Sequence, residues 1–243
     1  MEVHHHSHTS RKKWTHYFWE FLMLFLAVFC GFLAENQREH YVEHQRERVY
    51  IKSLKADVEN DLRQIDTLLP ELNAFIARLD SISLGIVGTQ GSDLPLQVSH
   101  LLKKGVGFSD FIYNDRTIQQ LKNAGNMRLI RNTIVANAIS AYDASVRRGI
   151  VHQDLINEYY MPRLNEKINY LFDLTAFHWP VTVKNKHDAK GFLLTSDHTE
   201  KIRFINDIFF YRRAIEVLAS FIANNGIHGK NLLRLIKKEY ILN

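Results

Sequence analysis

The sequence predicts a mainly α protein in which an N-terminal transmembrane helix continues into a helical bundle. Three observations lead to this prediction. Residues 17–34 form an apolar run in which Glu20 is the one charged side chain. Only 4 prolines and 11 glycines interrupt the 243 residues, which favours long helices. Apolar residues also recur at helical spacing from Ile51 onward.

The apolar run and its aromatic flank, residues 14–34, are the candidate transmembrane helix. A span needs about twenty mostly apolar residues, and Trp and Tyr favour the membrane interface. Glu20 lies about one turn inside the aromatic end, within reach of His16. We therefore expect four residues at the membrane interface: Trp14, Tyr17, Trp19 and Glu20.

Removal of this run as a signal peptide is the alternative. Cleavage after Ala34 places Phe32 three residues before the cut, where a small residue is needed. Phe29 precedes Cys30 and is too bulky for a lipoprotein site. We expect the run to stay in the chain, with Cys30 facing lipid or a partner helix.

Flanking charges predict the orientation. Arg11, Lys12 and Lys13 precede the run, whereas Arg38 is the one Lys or Arg in the ten residues after it. Because Lys and Arg are enriched on the cytoplasmic side, the N-terminus should be cytoplasmic and the remaining chain extracytoplasmic.

Four segments follow from these patterns. Residues 1–13, with His4, His5, His6 and His8, are predicted to be a disordered polar tail, and residues 14–34 the transmembrane helix. Residues 35–50 are predicted to be a charged helical stalk, because glutamates recur there at every fourth position. Residues 51–243 are predicted to be the helical bundle domain.

The bundle opens on an apolar seam, whose members are Ile51, Leu54, Val58, Leu62, Ile65 and Leu69. The seam could pack within the chain's own bundle or, as a homo-oligomer through residues 51–69, against a second copy. Pro70 should either kink this helix or begin the next one.

Two further helices are predicted to meet at a tight corner. Asn114 or Asp115 is a good N-cap, and Gly125 fits the position after a helix end. Asn132 should cap a second helix that ends near Gly149. We assign Asp115, Gly125 and Asn126 to a structural corner, since capping and turn chemistry explains them more simply than ligand binding.

Two sequence blocks resemble a known family. Glu20-Phe-Leu opens the apolar run, Asn36 lies just past it, and Tyr50-Ile-Lys-Ser-Leu-Lys-Ala-Asp57-Val-Glu-Asn-Asp61 follows. The second block is Thr117-Ile-Gln-Gln-Leu121-Lys-Asn-Ala-Gly125-Asn-Met-Arg-Leu-Ile130. Residues 18–145 thereby resemble an uncharacterised family of short single-pass membrane proteins of the Gram-negative envelope, known only as a domain of unknown function. The chain departs from that family at Gln37, where the family often has an aromatic residue.

The resemblance implies a span followed by a mainly helical domain, and it implies no reaction and no ligand. With the flanking charges, it places the chain in the inner (cytoplasmic) membrane with a periplasmic C-terminal domain.

The C-terminal half should hold further helices over residues 150–176 and 199–223, the latter ended by Asn224-Asn-Gly226. Residues 181–183 and 192–195 could form a short β-hairpin near residues 180–196. Arg212 falls on an apolar helix face, so it should snorkel at the edge or meet a carboxylate such as Asp57 or Asp61.

A last, basic helix is predicted over residues 230–241. Its charged face could contact anionic lipid or a partner, or simply be solvated in a bundle. The residues of that face are Lys230, Arg234, Lys237 and Lys238.

Motifs of catalysis are missing from the sequence: there is no phosphate-binding glycine loop, HExxH, GxSxG or calcium loop. His40 and His44 lack a third ligand at suitable spacing, and Asp57 and Asp61 are interpreted as surface charges. The one cysteine lies in the span, so no disulfide is expected in the bundle. We expect no cofactor, no metal and no catalysis.

The leading hypothesis is therefore a membrane-anchored helical sensor, scaffold or interaction protein of the bacterial envelope. Its expected partners are the lipid bilayer and another envelope protein, without nucleic acid, since no nucleic-acid-binding motif accompanies the modest net charge of +5. The alternative is a peripheral protein on the cytoplasmic side that uses the basic C-terminal helix to bind anionic lipid or nucleic acid.

Overall fold

The computed structural model describes residues 14–89, 91, 93–123, 125–173, 192–195 and 197–240. Within these residues the chain is mainly helical, with a long N-terminal helix followed by a helical bundle, as the sequence predicts. The chain divides into two compact units, Met1–Val49 and Tyr50–Asn243. The predicted disordered tail, residues 1–13, lies outside the described residues.

The helices are α1 (Trp14–Val87), α2 (Leu96–Lys103), α3 (Arg116–Asn123), α4 (Thr133–Leu155), α5 (Met161–Leu171) and α6 (His198–Glu239). A 3-10 turn, Asn126–Leu129, lies between α3 and α4, and a π-helical turn, Ile156–Tyr160, joins α4 to α5. Two short strands, β1 (Phe172–Asp173) and β2 (Phe192–Leu193), pair antiparallel.

The first unit contains α1 up to Val49. Most of its described apolar side chains are exposed, and three of them, Phe21, Phe25 and Phe29, stack with ring centroids 6.3 and 5.8 Å apart. The helix continues without a break at residues 35–40, where Arg38 binds Glu35 through two hydrogen bonds. This ion pair between residues one turn apart supports the helix locally in the charged stalk.

In the second unit α1 runs through Pro70 to Val87, so of the two alternatives at Pro70 the start of a new helix is wrong. Proline offers no N–H to the carbonyl four residues earlier, which normally weakens a helix. Here Leu68, Leu72 and Phe75 are buried on both sides of Pro70. Their packing keeps this segment helical despite the lost hydrogen bond.

The predicted seam lies in the core of this unit except at its last position, where Leu69 is only partly buried and Leu68 is buried. Ile51, Leu54, Val58, Leu62 and Ile65 are each at most 9% exposed within the single chain. They therefore pack in the chain's own bundle, which was the first of the two outcomes. The other outcome, a homo-oligomer through residues 51–69, would have to form without an exposed apolar seam.

The helix that was expected to end near Gly149 instead continues as α4 to Leu155, through the π-helical turn and into α5. Gly149 is a place of close contact, because a Cβ there would lie 3.2 Å from the Asn225 amide. The π-helical turn comes just before Pro162, where the regular hydrogen-bond pattern cannot be kept. Leu155 and Tyr159 in this stretch are exposed.

The predicted stop at Asn224-Asn-Gly226 is also wrong, since α6 extends for 42 residues and includes the predicted last helix. Asn225 is buried, and its amide lies 2.7 Å from the Ser145 hydroxyl oxygen. Added Cβ atoms would lie 3.4 Å from Ile65 at Gly226 and 3.1 Å from Leu62 at Gly229. These small residues let α6 approach α1 closely.

The structure describes only one of the two predicted hairpin strands. The first strand, residues 181–183, lies outside the described residues. The second strand, at residues 192–193, pairs antiparallel with the two residues that follow α5, with Phe172 opposite Leu193.

Arg212 does meet a carboxylate, though neither Asp57 nor Asp61. Its guanidinium binds Asp80 at 2.5 Å and Glu216 at 2.8 Å. Its side chain is 27% exposed, so this ion pair lies near the protein surface.

Candidate functional site: a polar clamp on α1

One polar stripe of α1 binds the extended segment that precedes α3. The strap is residues 107–117, which are this extended segment and the first two residues of α3, and the clamp is the five side chains that hold it. The clamp residues are Asp57, Asp61, Gln64, Glu71 and Arg78, which share one face of α1 at spacings of four, three, seven and seven residues. They contact strap residues 117, 114, 112, 109 and 107 in that order, so the strap runs antiparallel to α1.

The middle of the strap is held from both sides through its backbone. Gln64 accepts from the Ile112 N–H at 3.1 Å and donates to the Ile112 carbonyl at 2.8 Å. Gln153 of α4 does the same at Phe111, with distances of 2.8 and 3.3 Å. An extended segment without a neighbouring strand thereby has its backbone groups satisfied by two glutamine amides.

Asp61 lies at the centre of the clamp and is fully buried. Its Oδ1 accepts from the Asn114 N–H at 3.0 Å and from the Asn114 side-chain amide at 2.8 Å. Its Oδ2 accepts from the Tyr142 hydroxyl at 2.7 Å. Burial raises the pKa of Asp61 above its ordinary value, although these three hydrogen bonds oppose the shift.

Asp57, one turn earlier on α1, caps α3 from outside that helix. Its Oδ2 accepts from the Thr117 N–H at 3.3 Å and also from the Thr117 hydroxyl. An N–H in the first turn of a helix has no partner within the helix, and a carboxylate satisfies it as an N-cap would. Both aspartates are buried, so the interpretation of Asp57 and Asp61 as surface charges is wrong.

A third buried carboxylate, Asp143 of α4, completes the polar cluster. It accepts from Lys122 at 2.7 Å, from Arg147 at 3.0 Å and from the Tyr113 hydroxyl at 3.1 Å. Burial alone would raise the pKa of Asp143, but the hydrogen bonds from Lys122 and Arg147 hold it below its ordinary value.

The opposite pKa shifts of these two aspartates predict opposite pH dependence. A raised pKa means that the folded state binds the proton more tightly, so ionised Asp61 lowers stability as the pH rises above about 4. A lowered pKa means that Asp143 contributes stability above about pH 4 and loses it as the pH falls through the folded pKa.

Unfolding measured across a pH series should therefore separate two variants. Asp61→Asn should become more stable relative to the wild type as the pH rises from about 4, the ordinary pKa of an aspartate, toward neutrality. Asp143→Asn should be less stable than the wild type near neutrality, and this difference in the free energy of unfolding should disappear as the pH falls below the ordinary aspartate pKa. Parallel pH profiles for both variants would contradict the two electrostatic environments.

The predicted corner is present, but its three residues do not form one site. Asp115 accepts from Gln119 and from Arg147, at 2.9 and 3.3 Å. Gly125 has a left-handed backbone with φ of 63°, which favours glycine. Asn126 donates to the Tyr50 hydroxyl at 2.9 Å. Asn132 caps α4 as predicted, accepting from the N–H groups of the second and third residues after it.

The chemistry of the clamp is that of a closed hydrogen-bond network. Within the described residues, the one buried side-chain nitrogen or oxygen without a hydrogen bond is Nε of Arg78. Asp57, Asp61 and Asp143 use their oxygens to accept from the strap, α3 and α4. The clamp can therefore fix the strap and α3 against α1, and its carboxylates are already occupied by protein donors.

The basic residues near the C-terminus lie on the exposed face of α6, and each of the four is exposed. Leu232, Leu233 and Ile236 on the opposite face are buried. Arg234 donates to the side chain of Asn231, and Lys238 lies 3.5 Å from Glu239. The face is thus available to solvent.

The four interface residues of α1 are also exposed. Trp14, Tyr17 and Trp19 are 82%, 56% and 60% exposed, and Glu20 lies 3.2 Å from the His16 ring. One stretch of α1 is long and apolar enough to cross a membrane, and 0% of it is buried.

Metal-ligating side chains do not cluster in the part of the chain that the structure describes, where no group of three or more His, Cys, Asp or Glu could hold an ion. His40 and His44, considered as a pair from the sequence, lie 4.0 Å from Glu43 and 3.4 Å from Glu47.

Comparison with known proteins gives no relative: no family model, curated protein or solved structure matches the chain. The resemblance to the single-pass envelope family therefore stays a prediction.

Proposed function

We propose that the chain is a single-pass membrane protein of the bacterial inner membrane. In this proposal, residues 14–34 of α1 are the anchor, and the helical domain lies in the periplasm, where it senses, scaffolds or binds other envelope components. The observation that carries the proposal is the exposure of the apolar stretch, none of which is buried by the protein. Such a surface is stable in hydrocarbon and costly in water.

The ends of this stretch support a span rather than a surface helix. Trp14, Tyr17 and Trp19 can sit at the headgroup level, and the ion pair of His16 with Glu20 lies at the same end. The Lys and Arg residues concentrated before the stretch favour a cytoplasmic N-terminus.

The proposed interaction role rests on the apolar side chains that the second unit exposes on its surface. Its core is closed by the clamp, while apolar side chains such as Val151, Tyr159 and Phe210 remain exposed on its surface. Exposed apolar groups that lie together in one contiguous patch are typical of a surface that meets a partner. The resemblance to envelope proteins agrees with this role.

Reporter fusions at the C-terminus test the orientation. Alkaline phosphatase, which needs the periplasm, should be active there, and green fluorescent protein should be dark. As a control, replacing Arg11, Lys12 and Lys13 by Gln should shift part of the population to the opposite orientation. Bright fluorescence with inactive phosphatase in the wild type would reject the periplasmic domain.

That opposite result would favour the second candidate, a cytoplasmic domain that uses the exposed basic face of α6. In that case vesicles containing anionic lipid should bind the domain in a salt-sensitive way, while zwitterionic vesicles should not. Replacing Lys230, Arg234, Lys237 and Lys238 by Gln should abolish the difference between the two vesicles. Unchanged binding would reject this candidate.

A further inference from the structure

An open groove of about 750 Å³ runs between α4 and α6. Its apolar lining includes Val151 and Leu155, which are 69% and 47% exposed, and Phe221 of α6. Tyr159 and Phe210, which are 55% and 59% exposed, line the neighbouring hollow and extend the apolar surface. Aliphatic and aromatic side chains at this exposure favour burial against a partner.

The charges along this groove are separated by sign. Arg148 lies toward the N-terminal end of the α4 surface and Glu158 lies toward its C-terminal end, while Asp154 lies near the middle. Among the described residues these three side chains make no ion pair, in contrast to the neighbouring Arg147. The groove therefore presents one positive and one negative end with charges still available.

The exposed face of α4 is self-complementary about the level of residue 153, whose own side chain is buried against the strap. Val151 and Leu155 lie two residues before and after residue 153, and Arg148 and Glu158 lie five residues before and after it. Rotation of a second copy by a half turn places apolar residue against apolar residue and basic residue against acidic residue. A two-fold interface requires this kind of pattern, because the same surface is used by both copies.

We propose that this groove is the contact surface of a homodimer, in which the α4 helices of two copies pack antiparallel about a two-fold axis that meets the exposed face of α4 between Val151 and Leu155. Val151 and Leu155 form the apolar centre, and Arg148 of each copy faces Glu158 of the other. Tyr159 and Phe210 widen the apolar area toward the roughly 800 Å² per partner of a stable interface. The proposal goes beyond the membrane-anchor function and does not depend on the orientation of the chain.

Charge reversal tests the proposed symmetry. Because every change occurs twice in a two-fold dimer, Arg148→Glu alone and Glu158→Arg alone should each raise the dimer Kd about tenfold. The double variant Arg148→Glu/Glu158→Arg restores opposite charges and should return the Kd to near the wild-type value. The measurement is the dilution of the full-length chain in detergent, followed by light scattering or fluorescence energy transfer.

Cysteine cross-linking tests the same geometry independently. In a Cys30→Ser background, Val151→Cys lies next to the two-fold axis and should form a disulfide-linked dimer on oxidation. Ile134→Cys is a matched control, because Ile134 is also on α4 and 60% exposed but lies far from the axis. It should stay monomeric under the same conditions.

Three results would overturn the proposal. They are a monomer at every concentration tested, single charge variants that dimerise as tightly as the wild type, or equal cross-linking at residues 134 and 151. Circular dichroism of each variant should match the wild type, so that loss of dimer is not loss of fold. Recovery of the dimer in the double charge variant directly excludes unfolding as the reason why the single variants lose it.

Discussion

Replacing Asp61 by alanine should lower the free energy of unfolding by about 3 kcal/mol, because it leaves buried donors without acceptors. Three donors depend on this carboxylate: the Asn114 N–H, the Asn114 side-chain amide and the Tyr142 hydroxyl. The strap and α4 are both tied to α1 through it. Denaturant unfolding of the full-length chain in detergent, followed by circular dichroism, measures the loss.

Two further variants make this test specific. Asp61→Asn keeps one acceptor oxygen and should lose less stability than Asp61→Ala. Asp66→Ala removes an exposed carboxylate from the same helix and should change the free energy of unfolding by at most about 0.5 kcal/mol. Equal losses for Asp61→Ala and Asp66→Ala would show that the clamp does not contribute to stability.

Replacing Gly229 by leucine should cost about 3 kcal/mol, at the upper end of overpacking effects. A Cβ alone would lie 3.1 Å from the Leu62 side chain and 3.3 Å from the Tyr142 ring. The Tyr142 hydroxyl is already bound to Asp61 at 2.7 Å, so the ring cannot move without breaking the clamp. The same unfolding measurement detects the effect.

Gly226→Ala is the matched comparison, three residues earlier on α6. Its Cβ would lie 3.4 Å from Ile65, which is near ordinary contact distance. Helix propensity then favours alanine by up to about 1 kcal/mol, so this variant should be as stable as the wild type or more stable. A Gly229→Leu protein with wild-type stability would contradict the close packing of α6 against α1.

The apolar periodicity was enough to predict the helical class and the seam from Ile51 to Ile65, because spacing alone decides which helix face is buried. It failed at the helix ends. Gly149 and Gly226 were interpreted as stop signals, since glycine commonly follows a helix end. In the fold they are points of close approach between helices, which only the packed partner reveals.

The clamp shows a second limit of local reasoning. Asp57 and Asp61 have the spacing of ordinary surface charges, and nothing near them in the sequence indicates burial. A signal was present in the polar residues Asp57, Gln64, Glu71 and Arg78, which repeat at seven-residue intervals beside the apolar seam. Their partners lie 29 to 60 residues away along the chain, so pairing them requires the tertiary fold.

The partner of β2 was missed for a similar reason. Residues 192–193 pair with residues 172–173 just beyond the end of α5, a partner that the sequence pattern did not predict, and the predicted partner, residues 181–183, lies outside the described residues. Alternating apolar residues indicate that a segment is extended, and they do not indicate which segment lies beside it.

Alkaline carbonate extraction of membranes is the most direct test of the central claim that residues 14–34 anchor the chain. The full-length wild type should remain in the membrane pellet. A Leu24→Lys/Val28→Lys variant should be released, because each lysine near the middle of a span costs about 3 kcal/mol of insertion energy. Recovery of the wild type in the soluble fraction, alongside that variant, would contradict the account.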